Sequence, residues 1–399
     1  MPELPLQGVR VLDMGQIYNA PYATLLMALS GAEVIKIEPI GGEHLRARGE
    51  VSRSHGVPFA MLNSNKKSLA IDVRTPAGRE IVVRLTADVD VFVENFRPGA
   101  AERLGLGARA MREKYPRLVY ASGSGFGQVS ALSDVPAMDL TIQAMSGVMS
   151  ITGFPDRPPV KAGPAVADFS GGIHLYAAII TALLRQRRTG DGAHLDIAML
   201  DSVIPSMASN IGMLYDEVQL PSPRTANRHG GLAVSPYNVY TTTDGFVAII
   251  VVAERHWVSM CELMGMPELC QDPRFATAAA RIDHMDEVDE LVESWTRTRT
   301  RDEVFEKLRR SGVPSGPVRE LSDVLADPSL RARGALQDLQ HPIYGDVVVP
   351  HSPLRFEGEE RVPIEASHAL GADTRQVLSA SLGMTASEID QLMADGIIR

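Results

Sequence analysis

The sequence predicts an α/β fold: a large domain built on a doubly wound, mostly parallel sheet, plus a smaller α+β domain. Strand-like apolar runs alternate with helix-like segments over the first half of the chain, and a second strand-rich stretch follows later. Of the 399 residues, 45% are hydrophobic, which is enough for a large core. Such alternation favours parallel strands, whose ligands bind at the carboxyl ends of the strands.

The first elements in chain order are a strand, a helix and a strand. The run "GVRVLDMG" is typical of a buried strand that ends at Asp13, and "EVIKIE" of the next strand. Between them we expect a helix that opens at Pro21 and ends at Gly31. Proline suits the first helical turn, and glycine suits the position after the last.

A further strand–helix–strand unit and one more strand follow. "SLAIDV" and "VDVFVEN" are strand-like and flank a helix that Thr75 caps. "LVYASGSGFG" is the next strand and ends in the glycine-rich turn Ser122–Gly127. That turn lacks the complete GxGxxG pattern of dinucleotide-binding loops, so we expect a structural turn rather than a phosphate cradle.

A lone acid precedes the long helix "FSGGIHLYAAIITALLRQRRTG", which is apolar nearly all round, is expected to be buried and ends at Gly190. This acid, Asp168, stands among small residues. Aspartate is a favoured helix N-cap. A carboxylate at a helix start is also kept ionised by the helix dipole and can act as a covalent nucleophile. From its spacing, Asp168 is either a cap or a nucleophile, and the two roles are compatible.

Composition excludes several classes of function. The net charge of −10 argues against a nucleic-acid partner, and no apolar run reaches the ~18 residues of a membrane span. Met1–Gln7 does not resemble a secretory signal, so we expect a cytoplasmic protein. Cys261 and Cys270 are expected to be buried or half-buried thiols. Neither they nor the ten histidines have metal-ligand spacing, so no metal is expected.

Basic residues cluster near predicted strand ends. Each alone is typical of a solvated surface charge, but together they could hold a polyanion such as a nucleotide phosphate. The residues are Lys66, Lys67, Arg74, Arg97 and Arg103.

Several stretches together resemble the class III CoA-transferases, a family that includes formyl-CoA and carnitine CoA-transferases and is related to 2-methylacyl-CoA racemases. The resemblance runs from about Leu6 to the C-terminus. It is carried by stretches such as "LSGAEVIKIEP", "NSNKKSLAIDVRTPAGRE", "VENFRPGAAERLGLG", "KAGPAVADFSGG" and "RRTGDGAHLDIAMLDS".

The resemblance implies an interlocked homodimer of two-domain chains. The large domain, Rossmann-like and CoA-binding, is expected at residues 1–215 and 335–399, and the small domain at 225–325. Linkers are expected at 216–224 and 326–334. The first of these is rich in Pro, Ser, Arg and Asn, as linkers often are.

The resemblance also implies a set of site residues. The catalytic aspartate falls on Asp168. The CoA-binding residues fall on Arg97 and Arg103, with Asn95 and Phe96 beside them and Arg74 near the adenine. Side chains of the first loop, Gln16, Tyr18 and Asn19, are expected to face the acyl group. Gly230 and Gly231 form either a mobile lid or a plain turn.

The expected reaction moves CoA from an acyl-CoA to a carboxylic acid through an aspartyl anhydride and an aspartyl-CoA thioester. The CoA thioester is a substrate, and no permanently bound cofactor is expected. The polar first loop favours a succinyl-CoA-like donor. A racemase or epimerase is disfavoured because Met138 stands where a racemase keeps its basic histidine. A non-catalytic CoA-binding subunit is disfavoured because Asp168 is present. Intramolecular transfer within a dicarboxylate stays open.

Overall fold

The computed structural model describes residues 4–215 and 222–399, which form two compact units. The first unit comprises Met1–Met145, Pro164–Val203 and Asp327–Arg399, and the second comprises Ser146–Gly163 and Ile204–Ala326. Residues 146–163 and 204–215, expected in the large domain, therefore fall in the second unit. They do so because they pack on each other around a shared apolar pocket. Most of the expected linker 216–224 lies outside the described residues.

The strands of the described chain form three sheets. The first unit contains a six-stranded sheet and a two-stranded hairpin, and the second unit contains a three-stranded antiparallel sheet. The strands are β1 Arg10–Asp13, β2 Glu33–Glu38, β3 Lys67–Ala70, β4 Val91–Glu94, β5 Val119–Ser124, β6 Ala193–Ala198, β7 Tyr237–Thr242, β8 Gly245–Ile250, β9 Ser315–Pro317, β10 Leu336–His341 and β11 Gly345–Pro350.

Helices occur in both units, together with two short 3₁₀ helices at Ile204–Met207 and Pro267–Cys270. The α-helices are α1 Asn19–Ala28, α2 His44–Val51, α3 Arg53–Leu62, α4 Pro76–Thr86, α5 Ala100–Arg103, α6 Ala108–Lys114, α7 Asp139–Met145, α8 Val148–Ile151, α9 Val166–Thr189, α10 Met199–Val203, α11 Ala208–Met213, α12 Glu254–Met264, α13 Ala278–Asp283, α14 Met285–Thr296, α15 Arg301–Arg310, α16 Leu321–Ala326, α17 Pro328–Ala332, α18 Thr374–Leu382 and α19 Ala386–Ala394.

The large sheet is parallel throughout and has the strand order β3-β2-β1-β4-β5-β6. This is the order of doubly wound, Rossmann-like folds, and the expected α/β class is confirmed. The strand order reverses between β1 and β4. In such sheets, the crevice beyond the carboxyl ends at that point is where ligands bind.

Strands β1 to β5 of the large sheet are buried on both faces, which explains their nearly continuous apolar sequences, whereas the edge strand β6 exposes His194 and Asp196. Neighbouring side chains of β1 point to opposite faces. Val11 packs with α1 and α9 through residues such as Met27 and Ile179. Leu12 packs with α4, α6, α18 and α19 through residues such as Val82 and Leu378. The C-terminal helices therefore complete the core of the first unit.

Helix ends follow the sequence signals in part. The Thr75 hydroxyl accepts a hydrogen bond from the Gly78 amide at 3.0 Å, and Gly190 ends α9 with φ of +83°, both as expected. Helix α1 begins at Asn19 rather than at Pro21, and its last turn closes at Leu29, two residues before Gly31. The proline therefore occupies the third helical position, still within the first turn, where its missing amide is tolerated.

Helix α9 is long and apolar enough, by length and composition, to cross a membrane. The core helix of a globular domain has the same composition. Here Leu175, Ile179 and Leu183 are buried with side chains of β1, β4 and β5, so this face of α9 belongs to the core of the first unit.

The second unit has its own core, between the sheet β7-β8-β9 and helices α12, α14 and α15. Trp257, Met260, Val292 and Leu308 are fully or almost fully buried in it. Cys261 is buried in the same core, and Cys270 is half-buried.

Candidate active site

A cleft of about 700 Å³ opens at the carboxyl ends of β1, β4 and β5, where the strand order reverses. All its lining residues belong to the first unit. They include Gln16, Ile17 and Asn19 after β1, Asn95, Phe96, Arg97 and Arg103 after β4, Gly123–Phe126 at the end of β5, and Asp168 from α9. Seven of the thirteen residues expected at the site from the sequence therefore meet in one cleft: Gln16, Asn19, Asn95, Phe96, Arg97, Arg103 and Asp168.

The loop after β1 is held rigidly from beneath. Asp13 accepts a hydrogen bond from the Gly15 amide at 2.7 Å, and the Lys36 ammonium donates to the Gly15 carbonyl at 2.8 Å. Asn95 binds the backbone of Gln16, the residue after Gly15. Asn95 Oδ1 accepts a hydrogen bond from the Gln16 amide at 2.7 Å, and Asn95 Nδ2 donates one to the Gln16 carbonyl at 2.9 Å. Both ends of the Asn95 side chain are thus engaged in positioning the loop.

This clamping supports a strained residue. Ile17 has φ of +64°, in the left-handed region that a β-branched residue rarely adopts. Such strain costs on the order of 1–3 kcal/mol and persists only where the surroundings dictate it. Gln16 and Ile17 both line the cleft.

Lys66 is not a ligand-binding residue, contrary to the expectation from sequence. It is 1% exposed, and its ammonium donates to the carboxylate of Asp13 at 2.9 Å, the Thr24 hydroxyl at 2.8 Å, the Pro21 carbonyl and the Asn63 side chain. Lys66 lies beneath the β1–α1 loop. Because its ammonium is buried and fully hydrogen-bonded there, it cannot reach a ligand.

Lys67 does not line the cleft either, although the sequence predicted it as part of a polyanion site. Its ammonium pairs with Glu33 at 2.6 Å. Both residues lie at the amino ends of their strands, β3 and β2, whereas the cleft lies at the carboxyl ends.

Asp168 is the third residue of α9, which begins at Val166, so the N-cap interpretation is wrong. The helix start is capped instead by Asp139 of α7. Its Oδ1 accepts from the amides of Ala167 at 2.8 Å and Asp168 at 3.3 Å. This leaves the Asp168 carboxyl group without a hydrogen bond or ion pair to any residue that the structure describes.

The environment of Asp168 disfavours its charge. The residue is 7% exposed, and burial, followed by the negative charge of Asp139, raises the pKa of its carboxyl group to about 7. A carboxylate in this setting is poorly solvated and unpartnered, so it is available to react with a ligand in the cleft.

Asn19 joins three elements around Asp168. Its Nδ2 lies 3.4 Å from the Asp168 carbonyl oxygen, and its buried Oδ1 has no hydrogen-bond partner among the described residues. A Cβ atom at Gly123 would lie 2.5 Å from Asn19 Oδ1, and one at Gly171 would lie 2.2 Å from Asn19 Nδ2. These two glycines therefore make room for the Asn19 side chain between β5 and α9.

The glycine-rich turn after β5 is tightly bonded, consistent with a structural role. The Gly127 amide donates to the Ser124 hydroxyl, and the Gly125 carbonyl accepts from the Leu200 amide. A Cβ at Gly125 would come within 2.1 Å of that of Ala137. The turn nevertheless lines the cleft over Gly123–Phe126.

Cations face the cleft from the β4 side. Arg97 and Arg103 are exposed, and neither has an ion pair in the described parts of the chain. Arg48 of α2, which sequence reasoning missed, also lines the cleft and is exposed. It is brought there by α2, and no local pattern distinguishes it from an ordinary surface arginine.

A buried acid positions the turn that carries Arg97. Glu94 is 3% exposed at the end of β4, and its Oε2 accepts from the Phe96 amide at 2.8 Å. Burial raises the pKa of Glu94 to about 7.

Besides Lys66 and Lys67, four further predicted residues do not line the cleft. The exposed Arg74 pairs with Asp72 through Nε at 2.8 Å and Nη2 at 2.9 Å. Tyr18 stacks on Phe169 with ring centroids 5.9 Å apart. Gly230 and Gly231 lie in the second unit, and the Gly230 carbonyl accepts from Asn210 there. Their predicted ligand-binding or lid roles stay predictions.

The arrangement suits a ligand with an anionic portion and an electrophilic carbon. Exposed arginines can bind phosphate groups. The unpartnered Asp168 can attack a carbonyl carbon nearby.

Comparisons with known proteins identify the family of this chain. Residues 6–374 match the sequence model of CoA-transferase family III. A succinyl-CoA–D-citramalate CoA-transferase of Chloroflexus aurantiacus is 35% identical over 402 residues, covering 100% of this chain and 99% of the relative. A succinate–glutarate CoA-transferase of Agrobacterium fabrum is 34% identical, covering 94% and 95%. A formyl-CoA:oxalate CoA-transferase of Streptomyces avermitilis is also 34% identical, covering 98% and 99%.

Solved structures show the same fold. A CAIB/BAIF family protein from Brucella suis superimposes with a TM-score of 0.82 at 32% identity, covering 95% of this chain and 100% of that one. A protein from Mycobacterium tuberculosis gives 0.82 at 27% identity, covering 94% and 99%. The resemblance seen in the sequence is confirmed, and the chain belongs to CoA-transferase family III, as an enzyme of that class.

Proposed function

We propose that this enzyme transfers CoA from an acyl-CoA donor to a carboxylic acid through covalent intermediates on Asp168. The observation that carries the proposal is the Asp168 carboxyl group itself. It is buried in the cleft, has no hydrogen-bond partner among the described residues and has a raised pKa of about 7. Above pH 7 it is a desolvated anion, which is a better nucleophile than a hydrated carboxylate.

In the first half-reaction, a carboxylate oxygen of Asp168 attacks the thioester carbonyl carbon. The C–S bond breaks, CoA leaves as a thiolate, and a mixed anhydride remains. The thiolate then attacks the Asp168 carbonyl carbon, the anhydride C–O bond breaks, and the donor acid leaves as a carboxylate. Asp168 now carries CoA as a thioester.

In the second half-reaction, the acceptor carboxylate attacks the aspartyl thioester and again releases CoA thiolate. The thiolate attacks the acceptor carbonyl carbon of the new anhydride and regenerates the Asp168 carboxylate. No proton is gained or lost overall, because every nucleophile and leaving group is a carboxylate or a thiolate.

Gln16 is suited to stabilise the transient oxyanions. Asn95 occupies both backbone groups of Gln16. Gln16 lines the cleft, and its side-chain amide has no hydrogen-bond partner in the described part of the chain. A preorganised N–H donor at such a position stabilises negative charge on a carbonyl oxygen.

For CoA itself, Arg97 and Arg103 supply the phosphate contacts, and Arg48 adds a third cation. Asn95 acts by positioning the loop, because its amide is already engaged with Gln16. Arg74 would have to leave Asp72 to contact the adenine side of CoA.

We propose a dicarboxylate chemistry for the donor, of the succinyl-CoA type. Two relatives at 34–35% identity are named for succinate or succinyl-CoA. Gln16 provides a polar side chain in the cleft for a second carboxylate. Transfer within one dicarboxylate is the alternative. A racemase is disfavoured because Met138, which lines the cleft, cannot exchange a proton.

The working assembly that we propose is an interlocked homodimer in the cytoplasm, with the Gly230–Gly231 segment as a mobile lid. Size-exclusion chromatography with light scattering tests the dimer, and a monomer at assay concentration would contradict it.

The central experiment incubates the enzyme with acyl-CoAs and carboxylic acids in pairs and identifies the CoA products by mass spectrometry. We expect transfer between dicarboxylates. Hydroxylamine or borohydride added with an acyl-CoA should modify Asp168, and peptide mapping should locate the adduct. An unmodified Asp168 in an enzyme that turns over would refute the covalent mechanism while leaving the transferase activity intact.

A further inference from the structure

A second cleft of about 700 Å³ lies at the opposite edge of the large sheet, near the amino ends of β5 and β6. It is formed by α6, the end of α9 and the segment between α9 and β6, all in the first unit. Strand β5 has six residues, so at ~3.3 Å per residue the two clefts are separated by roughly 15–20 Å.

Two arginines in this cleft converge on one neutral acceptor. Arg112 Nη2 donates to the Gly192 carbonyl at 3.3 Å, and Arg185 Nη2 donates to the same oxygen at 2.6 Å. Neither guanidinium has a carboxylate within 4.0 Å anywhere in residues 4–215 and 222–399. Two like charges held side by side repel each other unless an anion lies between them.

Arg112 also has an unused donor. Its Nε is buried and has no hydrogen-bond partner among the described residues. A buried N–H group without an acceptor is costly, at ~1–3 kcal/mol, and is rare in native proteins. The Arg112 guanidinium is therefore not fully satisfied by the protein.

The acids of the cleft do not neutralise these arginines. Glu113 is taken by Arg109, whose Nε lies 2.9 Å from it. Asp191 is exposed and forms no ion pair within 4.0 Å in the described chain. Cations are favoured near helix C-termini such as those of α6 and α9, but that preference does not explain why two side chains meet at Gly192.

We propose that this second cleft binds a compact polyanion, with its phosphate or carboxylate oxygens held by the forks of Arg112 and Arg185. Planar guanidinium groups bind both kinds of oxygen in a bidentate manner. The cleft is larger than a single phosphate ion, so it also has room for pyrophosphate or a tricarboxylate. The site is separate from the cleft of Asp168 and does not depend on the proposed reaction.

The test is calorimetric titration of the full-length enzyme with pyrophosphate and, separately, with citrate, at constant ionic strength. Because the active-site cleft also contains arginines, the site counted is the one lost in the Arg112→Gln/Arg185→Gln double variant. Each single variant should weaken that binding by roughly tenfold or more. Arg255→Gln is the matched control and should bind as the wild type does, because Arg255 is an exposed arginine of the second unit and forms no ion pair with any described residue.

CoA-transfer activity should be unchanged in all these variants. Binding of pyrophosphate alone assigns a phosphate ligand, and binding of citrate alone assigns a polycarboxylate. The proposal is overturned if wild type and double variant bind both anions equally, or if neither anion gives a saturable signal. Should Arg112→Gln misfold by circular dichroism, Arg112→Lys keeps the charge but loses the fork, and wild-type affinity in it would also overturn the proposal.

Discussion

Two buried aspartates at the same edge of the large sheet have opposite surroundings. Asp13, at the end of β1, is fully buried and accepts hydrogen bonds from Lys66, Thr24 and the Gly15 amide. Asp168, in the first turn of α9, is 7% exposed, and its carboxyl group has no partner among the described residues. The same residue type is thus completely satisfied in one place and left unsatisfied in the other.

The difference appears in the ionisation of the two groups. Burial alone would raise the pKa of Asp13, but the charges of Lys66 and Lys36 and the Thr24 hydroxyl lower it below its usual value. At Asp168, burial and then Asp139 both raise the pKa, to about 7. The paired Asp13 helps to hold the fold and stays charged, whereas the unpaired Asp168 keeps its reactivity for a ligand.

The largest effect is expected from Asp168→Asn. Loss of the nucleophile should lower kcat by at least ~1,000-fold, by analogy with other covalent catalysts. Steady-state assays measure this loss, and circular dichroism checks that the fold is retained. Turnover within tenfold of the wild type would contradict the role of Asp168.

The Asp168→Asn variant also tests how far the unpaired carboxylate of Asp168 lowers the free energy of unfolding. The folded-state pKa of Asp168 is raised above 3.8, so the native state binds more protons than the unfolded state between about pH 4 and 7. Its contribution to stability is present below pH 3.8 and is lost as the pH rises to about 7. Asn cannot ionise. The free energy of unfolding of the variant, relative to that of the wild type, should therefore increase by on the order of 3 kcal/mol when the pH is raised from 4 to 8. Urea denaturation at both pH values measures this.

Replacing Lys66, the partner of Asp13, tests how much the buried ion pair stabilises the fold. Lys66→Met removes the ammonium bonded to the buried Asp13 carboxylate, which keeps only the weaker influence of Lys36, and should lower the free energy of unfolding by ~3–5 kcal/mol. Lys67→Met is the matched control, because its pair with Glu33 is half-exposed and contributes less than ~1 kcal/mol. Equal losses in the two variants would show that burial of the pair is unimportant.

The distinction between paired and unpaired groups extends to arginines. Arg97→Gln and Arg103→Gln should each raise KM for acyl-CoA by roughly tenfold with little change in kcat, because a phosphate contact is lost. Arg74→Gln should have a smaller effect, since Arg74 is exposed and already pairs with Asp72. Kinetics at several salt concentrations measure these differences, and a larger effect at Arg74 would reverse this assignment.

The smallest effect is expected from Asp139→Asn. The amide retains an acceptor for the Ala167 and Asp168 amides but loses the negative charge, so the pKa of Asp168 should fall. The acid limb of kcat/KM, with a wild-type midpoint of about 7, should therefore move to lower pH by less than ~1 unit. Asp139→Ala should additionally cost ~1 kcal/mol through loss of the cap. An unchanged pH profile in Asp139→Asn would exclude this electrostatic role.

Local patterns were sufficient for much of the fold. Five of the six parallel strands, β1 to β5, follow from apolar runs, because both of their faces are buried. The sixth, Ala193–Ala198, was not predicted, because its exposed His194 and Asp196 interrupt the apolar pattern. The helix ends at Thr75 and Gly190 could be predicted because a capping interaction involves only residues three or four positions away. The catalytic candidate Asp168 and the arginines Arg97 and Arg103 also lie where the strand ends predict a ligand.

Long-range partners could not be predicted in the same way. The cap of α9 comes from Asp139, 29 residues before Asp168. Lys66 was expected at a ligand, yet its carboxylate partner lies 53 residues away in sequence. Nothing in the local residue pattern distinguishes these groups from surface charges.

The sequence by itself determined the α/β class, the order of the strands along the chain and the presence of an acid at the start of a long buried helix. These depend on periodicity and on short-range caps and turns, which are local interactions. Only the tertiary structure decided which buried acid is neutralised and which is left free. That outcome depends on donors from distant segments and on burial, which set the pKa values of Asp13 and Asp168 in opposite directions.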